Sequence, residues 1–168
     1  ELPDVRDVAR RSMQREFDPT GPRRVLEQAE SDDLSFRLAQ ATGIKQGDVD
    51  FEKRMREFGF HMEPQGGQLH MGLDESVDHR DIESLIEAVA EGNDDLARRI
   101  QGKINSDMND PYGIHRGEMN QLDGMEEDLL QQELDFRRGI RKDPPDPELV
   151  ENIRRWKAAE AGDATTKK

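Results

Sequence analysis

The chain contains no cysteine. That single absence removes disulfide staples, thiolate metal sites and cysteine nucleophiles. Apolar residues are scarce: 32% of 168 residues are hydrophobic and 38% are charged, with a mean hydropathy of -1.01. A composition so close to the disordered side of the boundary supplies little core, so the order the chain has is expected to draw on partners in a larger assembly. No apolar run approaches the ~20 residues that span a bilayer. No signal peptide is visible either, although a start at Glu1 in place of Met keeps a removed leader among the expectations. Positive charge is short as well, with 25 Lys and Arg against 38 Asp and Glu for a net charge of -13. General affinity for phosphate backbones or anionic membranes is thereby opposed, because it is largely electrostatic. The deficit is uneven. Residues 1–73 hold 11 cations against 14 anions, and residues 74–168 hold 14 against 24, so the N-terminal part is the less unfavourable place for a nucleic acid. Gly-rich phosphate loops, nucleophile elbows and metalloprotease helices are all missing.

The N-terminal arm, 1–19, reads as a short amphipathic helix over 4–16 with Val5, Val8, Ala9 and Met13 on one side and a stop at Asp18-Pro19. Residues 23–31 read as a second helix with Val25, Leu26 and Ala29 inward. From Ser31 onward, Ala39, Gly43 and Val49 stand in an A-x3-G-x5-V arrangement. That is the spacing of two helices joined by a turn: a small residue at the contact, a Gly free to take positive φ, and a β-branched residue returning to the core. Next comes FHMEPQGGQLHMGL, which folds about Gly66-Gly67 as a two-residue hairpin. Pairing outward sets Pro64 against Leu69, Met62 against Met71 and Phe60 against Leu73 on one face. His61, Glu63, Gln65, Gln68 and His70 fall on the other. Helix, turn, helix and two-stranded wing over residues 20–73 resembles the winged-helix superfamily at the level of fold. The resemblance implies a recognition helix presenting Lys53, Arg54 and Arg56, with Asp48 and Asp50 at its leading end.

Residues 74–141 read as a helical domain. Ile82, Leu85, Ile86 and Val89 follow i, i+3, i+4, i+7, Gly92-Asn93 breaks the helix, and Leu96, Ala97, Ile100 and Ile104 resume it. A β-turn is expected at Asp110–Gly113, and a longer helix over 118–141 carries Met119, Leu122, Met125, Leu129, Leu130, Leu134 and Phe136. In the last section, 142–168, a Pro-rich linker leads to a final helix with Leu149, Val150, Ile153 and Trp156, the one tryptophan.

Three constellations invite chemistry. His61, Glu63 and His70 share the polar face of the hairpin, and two imidazoles with a carboxylate are a zinc or iron donor set, though a solvated sheet face is the plainer reading. Asp107, Asn109 and Glu118 occupy positions 1, 3 and 12 of a calcium-loop spacing, but Pro111 and Tyr112 spoil its middle. The remaining carboxylates are too evenly spread to nominate an acid and base pair. The expected protein is therefore mainly α with one β-hairpin, winged-helix-like at the N-terminal end. A non-enzymatic structural or adaptor subunit is expected, with no cofactor, in an assembly such as a virion head, tail or scaffold. Leu122, Met125, Leu129, Phe136, Leu149, Ile153 and Trp156 are the docking residues toward other protein subunits. The alternative is a winged-helix DNA-binding transcription or packaging factor.

Overall fold

The computed structural model describes residues 22–110 and 120–166. Within them the protein is mainly helical with a single antiparallel hairpin. The expected helix over 4–16, the turn at 110–113 and the calcium-like loop through Glu118 lie wholly or partly outside the described residues. Contacts divide the chain into two compact units, Glu1–Pro111 and Tyr112–Lys168.

In the first unit, α1 (Gln28–Thr42) begins after Glu27, whose N–H donates to Glu30 Oε1 at 2.9 Å. It ends at Gly43, where φ of 74° places the backbone in the left-handed region that a glycine adopts freely. Leu34 and Leu38 are fully buried along it. The separate helix expected over 23–31 is not present: residues 22–27 are non-helical and Val25 is exposed. Arg24 instead folds back on the buried Glu30 carboxylate in the first helical turn, where negative charge meets unpaired N–H groups.

Residues 43–50 lead to α2 (Phe51–Arg56). Val49 stands fully in solvent there, contrary to its expected return to the core, and Ile44 and Met55 are buried in its place. The hairpin, β1 (Phe60–Gln65) and β2 (Gln68–Leu73), has the expected register: Phe60 opposite Leu73, Met62 opposite Met71, Pro64 opposite Leu69. Gly66 and Gly67 take φ of 57° and 79°, the pair of positive values a two-residue hairpin turn of the favoured type needs. Counting from that turn, Pro64 falls at a position whose N–H would point away from the partner strand, so proline sacrifices no ladder bond. Phe60 and Met71 are buried at the base of the hairpin, while Pro64 near its tip is exposed.

α3 (His79–Ala90) starts at Asp78, whose side chain accepts from Arg80 N, and α4 (Asp94–Asn109) starts at Asn93, whose side chain accepts from Leu96 N. Ile82, Leu85 and Ala88 meet Leu96, Ile100 and Ile104 as the central layer of buried side chains, with α3 packed on both α4 and α1. The expected boundary at 73 is thus crossed by packing, and the division falls inside the expected helical domain 74–141. Within the first unit, α1, the hairpin, α3 and α4 all contribute buried side chains.

The second unit pairs α5 (Gln121–Arg137) with α6 (Pro147–Thr166). Asn120 caps α5 by accepting from Asp123 N at 2.8 Å, and Gly139 at φ 77° turns the chain after it. Pro147 sits in the first turn of α6, where a missing N–H is harmless.

Candidate functional site

The helix pair runs antiparallel, since Gln132 Oε1 accepts from Asp146 N at 2.9 Å at one end and Lys157 Nζ lies 3.1 Å from Glu126 Oε1 toward the other. Gln132, the polar break in the apolar stripe, therefore holds the Pro-rich connection back against α5, and that connection is not a free tether. Only Leu130, Leu134 and Ile153 are buried apolar side chains among the described residues of this unit. Ile153, expected as an anchor for a partner, is held within the protein's own fold. At about 100° per residue, Leu122, Met125, Leu129 and Phe136 centre on a face roughly 130° around α5 from Leu130 and Leu134. α5 therefore carries two apolar faces. The first three of that second set are half-buried and Phe136 is exposed. On α6, Leu149 is half-buried, while Val150 and Trp156 flank Ile153 by about 60° on either side and are 46% and 41% exposed. Ile140, after the end of α5, is exposed too.

The hairpin histidines are not brought together as a metal site. His61 Nε2 lies 2.7 Å from Glu63 Oε1, whereas His70 Nδ1 lies 2.8 Å from Asp32 Oδ2 on α1. No group of three or more His, Asp or Glu residues among those described is arranged to hold a metal ion. Asp32 was not singled out by the sequence, yet it ties helix to hairpin: its Oδ1 accepts from Met71 N at 2.8 Å, and Ser31 Oγ donates to Met71 O at 2.7 Å. The outer edge of β2 is satisfied by helix side chains where a third strand would otherwise pair. Burial alone would raise the Asp32 pKa, but the bonds from Met71 N–H, His70 and Gln28 outweigh it and hold the carboxyl below its usual value. The His61–Glu63 pair overhangs Gly72, where an added Cβ would come within 2.8 Å of the imidazole. A cleft of about 710 Å³ opens beside it, lined by Arg23, Arg24, Gln28 and Asp74 among others.

Lys53 and Arg56 are exposed on α2 and Arg54 is half-buried. Arg56 donates to Glu52 Oε1 at 2.6 Å, and Glu57 follows directly, so carboxylates interleave the expected phosphate contacts.

His79, unremarked in the sequence, is the least satisfied polar side chain found. It is 3% exposed, and neither ring nitrogen has a hydrogen-bond partner among the described residues. Burial depresses its pKa first, the Arg24 and Arg80 guanidiniums add to that, and Asp78 and Glu83 oppose. A histidine whose folded pKa lies below its unfolded value near 6.5 takes up protons on unfolding, so stability is full above about pH 6.5 and falls as pH drops toward the folded pKa. Replacing His79→Phe is expected to flatten that part of the profile, measured by urea unfolding between about pH 5 and 7. An unchanged slope would assign the acid sensitivity elsewhere.

Comparison with family models, curated proteins and solved structures finds no match.

Proposed function

We propose that the protein is a non-catalytic structural or adaptor subunit of a larger assembly, a virion head, tail or scaffolding component being one setting, and that it acts by protein docking through the helix pair. One observation supports this most: α5 and α6 bury only Leu130, Leu134 and Ile153 among the described residues, while Phe136, Ile140, Val150 and Trp156 remain 41–46% exposed. A two-helix unit with so small a core gains stability from a covering surface. Trp156 is the best-placed anchor, because a large aromatic side chain entering a desolvated pocket carries a disproportionate share of binding energy.

As the only tryptophan, Trp156 reports its own environment. Its fluorescence is expected to be readily quenched by acrylamide in the isolated chain and shielded in the native assembly, and Trp156→Ala is expected to weaken assembly by about 30-fold, the effect of losing about 2 kcal/mol at an anchor. Equal quenching in both states and unchanged affinity would overturn the docking role.

Docking is preferred to nucleic-acid contact by a winged-helix-like part because Glu52 and Glu57 accompany Lys53, Arg54 and Arg56. Retardation of duplex DNA at low salt, abolished by changing those three to Ala, would reverse the preference.

A further inference from the structure

We propose that His79 is the trigger of a pH-sensitive strap: when its imidazole takes up a proton, residues 22–27 release from α1 and the start of α3. The proposal concerns the first unit and is independent of the docking role. Its main support is that His79 is the side chain whose polar atoms are buried with no hydrogen-bond partner among the described residues. A neutral imidazole tolerates such a place, whereas an imidazolium needs acceptors for two N–H groups. The charged groups around it are already engaged. Arg80 donates to Asp78 Oδ2 at 2.7 Å, Arg37 of α1 donates to Glu83 Oε2 at 3.0 Å, and Arg24 donates to Glu30 Oε1 at 2.8 Å. On the α4 side, Lys103 is held between Asp81 and Asp107. Each carboxylate in this set serves a cation, so a protonated His79 is one positive charge in excess.

The strap is the part that can yield. Asp78, Arg80 and Glu83 sit at or in α3 and Arg37 in α1, where helical hydrogen bonds fix the backbone, whereas Arg24 stands on a segment with no regular structure. Little apolar burial holds that segment: Val25 is 86% exposed and none of residues 22–27 is buried. Its ties are polar, the Arg24 pair with Glu30 and the donation from Arg23 to the Glu75 carbonyl. Burial opposes a charge on His79 most, and Arg24 and Arg80 oppose it further, so the enclosed imidazole titrates below its ordinary value. Once relieved of Arg24 it binds a proton more readily. Acid therefore favours the released strap, and the bound strap is complete above about pH 6.5 and lost as pH falls toward the enclosed value. Departure of Arg24 takes one cation out of the cluster and restores its balance. The strap also forms one wall of the cleft beside the His61–Glu63 pair, so its release opens that cleft.

The cysteine-free chain allows a single nitroxide label through Val25→Cys, at an exposed position of the strap, and electron paramagnetic resonance then reads the ratio of mobile to immobile label. That ratio is expected to rise on the order of 10-fold between about pH 7.5 and pH 5, with a midpoint below about 6.5 that matches the titration of the His79 ring followed by NMR. Helix content by circular dichroism is expected to stay constant over the same range, which separates release of the strap from unfolding of the unit. In His79→Phe the ratio is expected to stay low at both pH values. Should that variant lose helix, His79→Met, which cannot titrate either, carries the same comparison. Arg24→Gln is expected to leave the label mobile already at about pH 7.5. A rise under about twofold with His79 in place, an equal rise in the His79 variant, or a rise that comes only with loss of helix overturns the switch. A label still immobile in Arg24→Gln overturns it as well, because Arg24 would then not be what holds the strap.

Discussion

Asp81→Ala is expected to destabilise the first unit by about 2–3 kcal/mol, because it takes the nearer of two carboxylates from a largely buried ammonium. Asp81 lies in the first turn of α3 with 1% of its side chain exposed, and Lys103 of α4 reaches it with Nζ 2.6 Å from Oδ2. Burial alone would depress the Lys103 pKa, but the Asp81 and Asp107 carboxylates hold it above its ordinary value. With Asp81 gone, the ammonium keeps Asp107 at 3.1 Å and little else from this pairing, while its side chain is still only 16% exposed. Urea unfolding measures the cost. Lys103→Met in the same chain as Asp81→Leu is expected to restore most of the loss, since removing both charges also removes both desolvation costs. A loss under about 1 kcal/mol for Asp81→Ala would show that water reaches the pair and that the bridge between α3 and α4 is a surface feature.

Gly59→Ala is expected to cost about 2–5 kcal/mol, by two mechanisms acting at one atom. Gly59 has φ of 90°, a region that side-chain-bearing residues enter only with strain, and its added Cβ would stand 2.6 Å from Val77 Cγ2. Val77 is buried, so displacing it would disturb packed neighbours. The Gly59 carbonyl accepts from Asp74 N at 2.8 Å, closing the base of the hairpin, so relief by backbone movement would break that bond. Gly43→Ala is the matched control: φ is 74°, yet nothing lies within 4 Å of its added Cβ, so only the backbone strain of about 1 kcal/mol is expected. Equal losses at the two glycines would mean that the contact with Val77 contributes nothing.

These two sites show where the sequence is readable and where it is not. Local grammar was legible: the spacing from Ile82 to Ile104, the Gly92-Asn93 break and the Gly66-Gly67 turn each depend on neighbours a few positions apart, and α3, α4 and the hairpin register follow from them. What pairs across elements was not. Asp81 with Lys103, Asp32 with His70 and Arg37 with Glu83 join positions far apart in the chain, and nothing in a period of two or 3.6 residues announces them. Val25 and Val49 were expected inward on local pattern and stand in solvent, whereas Leu34, Leu38 and Ile44 are buried. At the docking face the same limit applies. The apolar character of Ile153 and Trp156 was evident, but only packing against α5 shows that Ile153 faces inward and Trp156 outward. His79 escaped notice for the reverse reason: one histidine at a helix start has no pattern, and its significance comes entirely from being buried.

The proposed function rests on the helix pair, whose described residues include three buried apolar side chains while Phe136, Ile140, Val150 and Trp156 are exposed, the surface that the proposed docking would cover. The most direct test is the mass of the species in which the native chain occurs at its natural concentration, determined by light scattering on gently extracted material. The account predicts a mass of at least two natural chains, with Trp156 shielded from quencher within it. A single chain, stable and with Trp156 freely quenched, would contradict it.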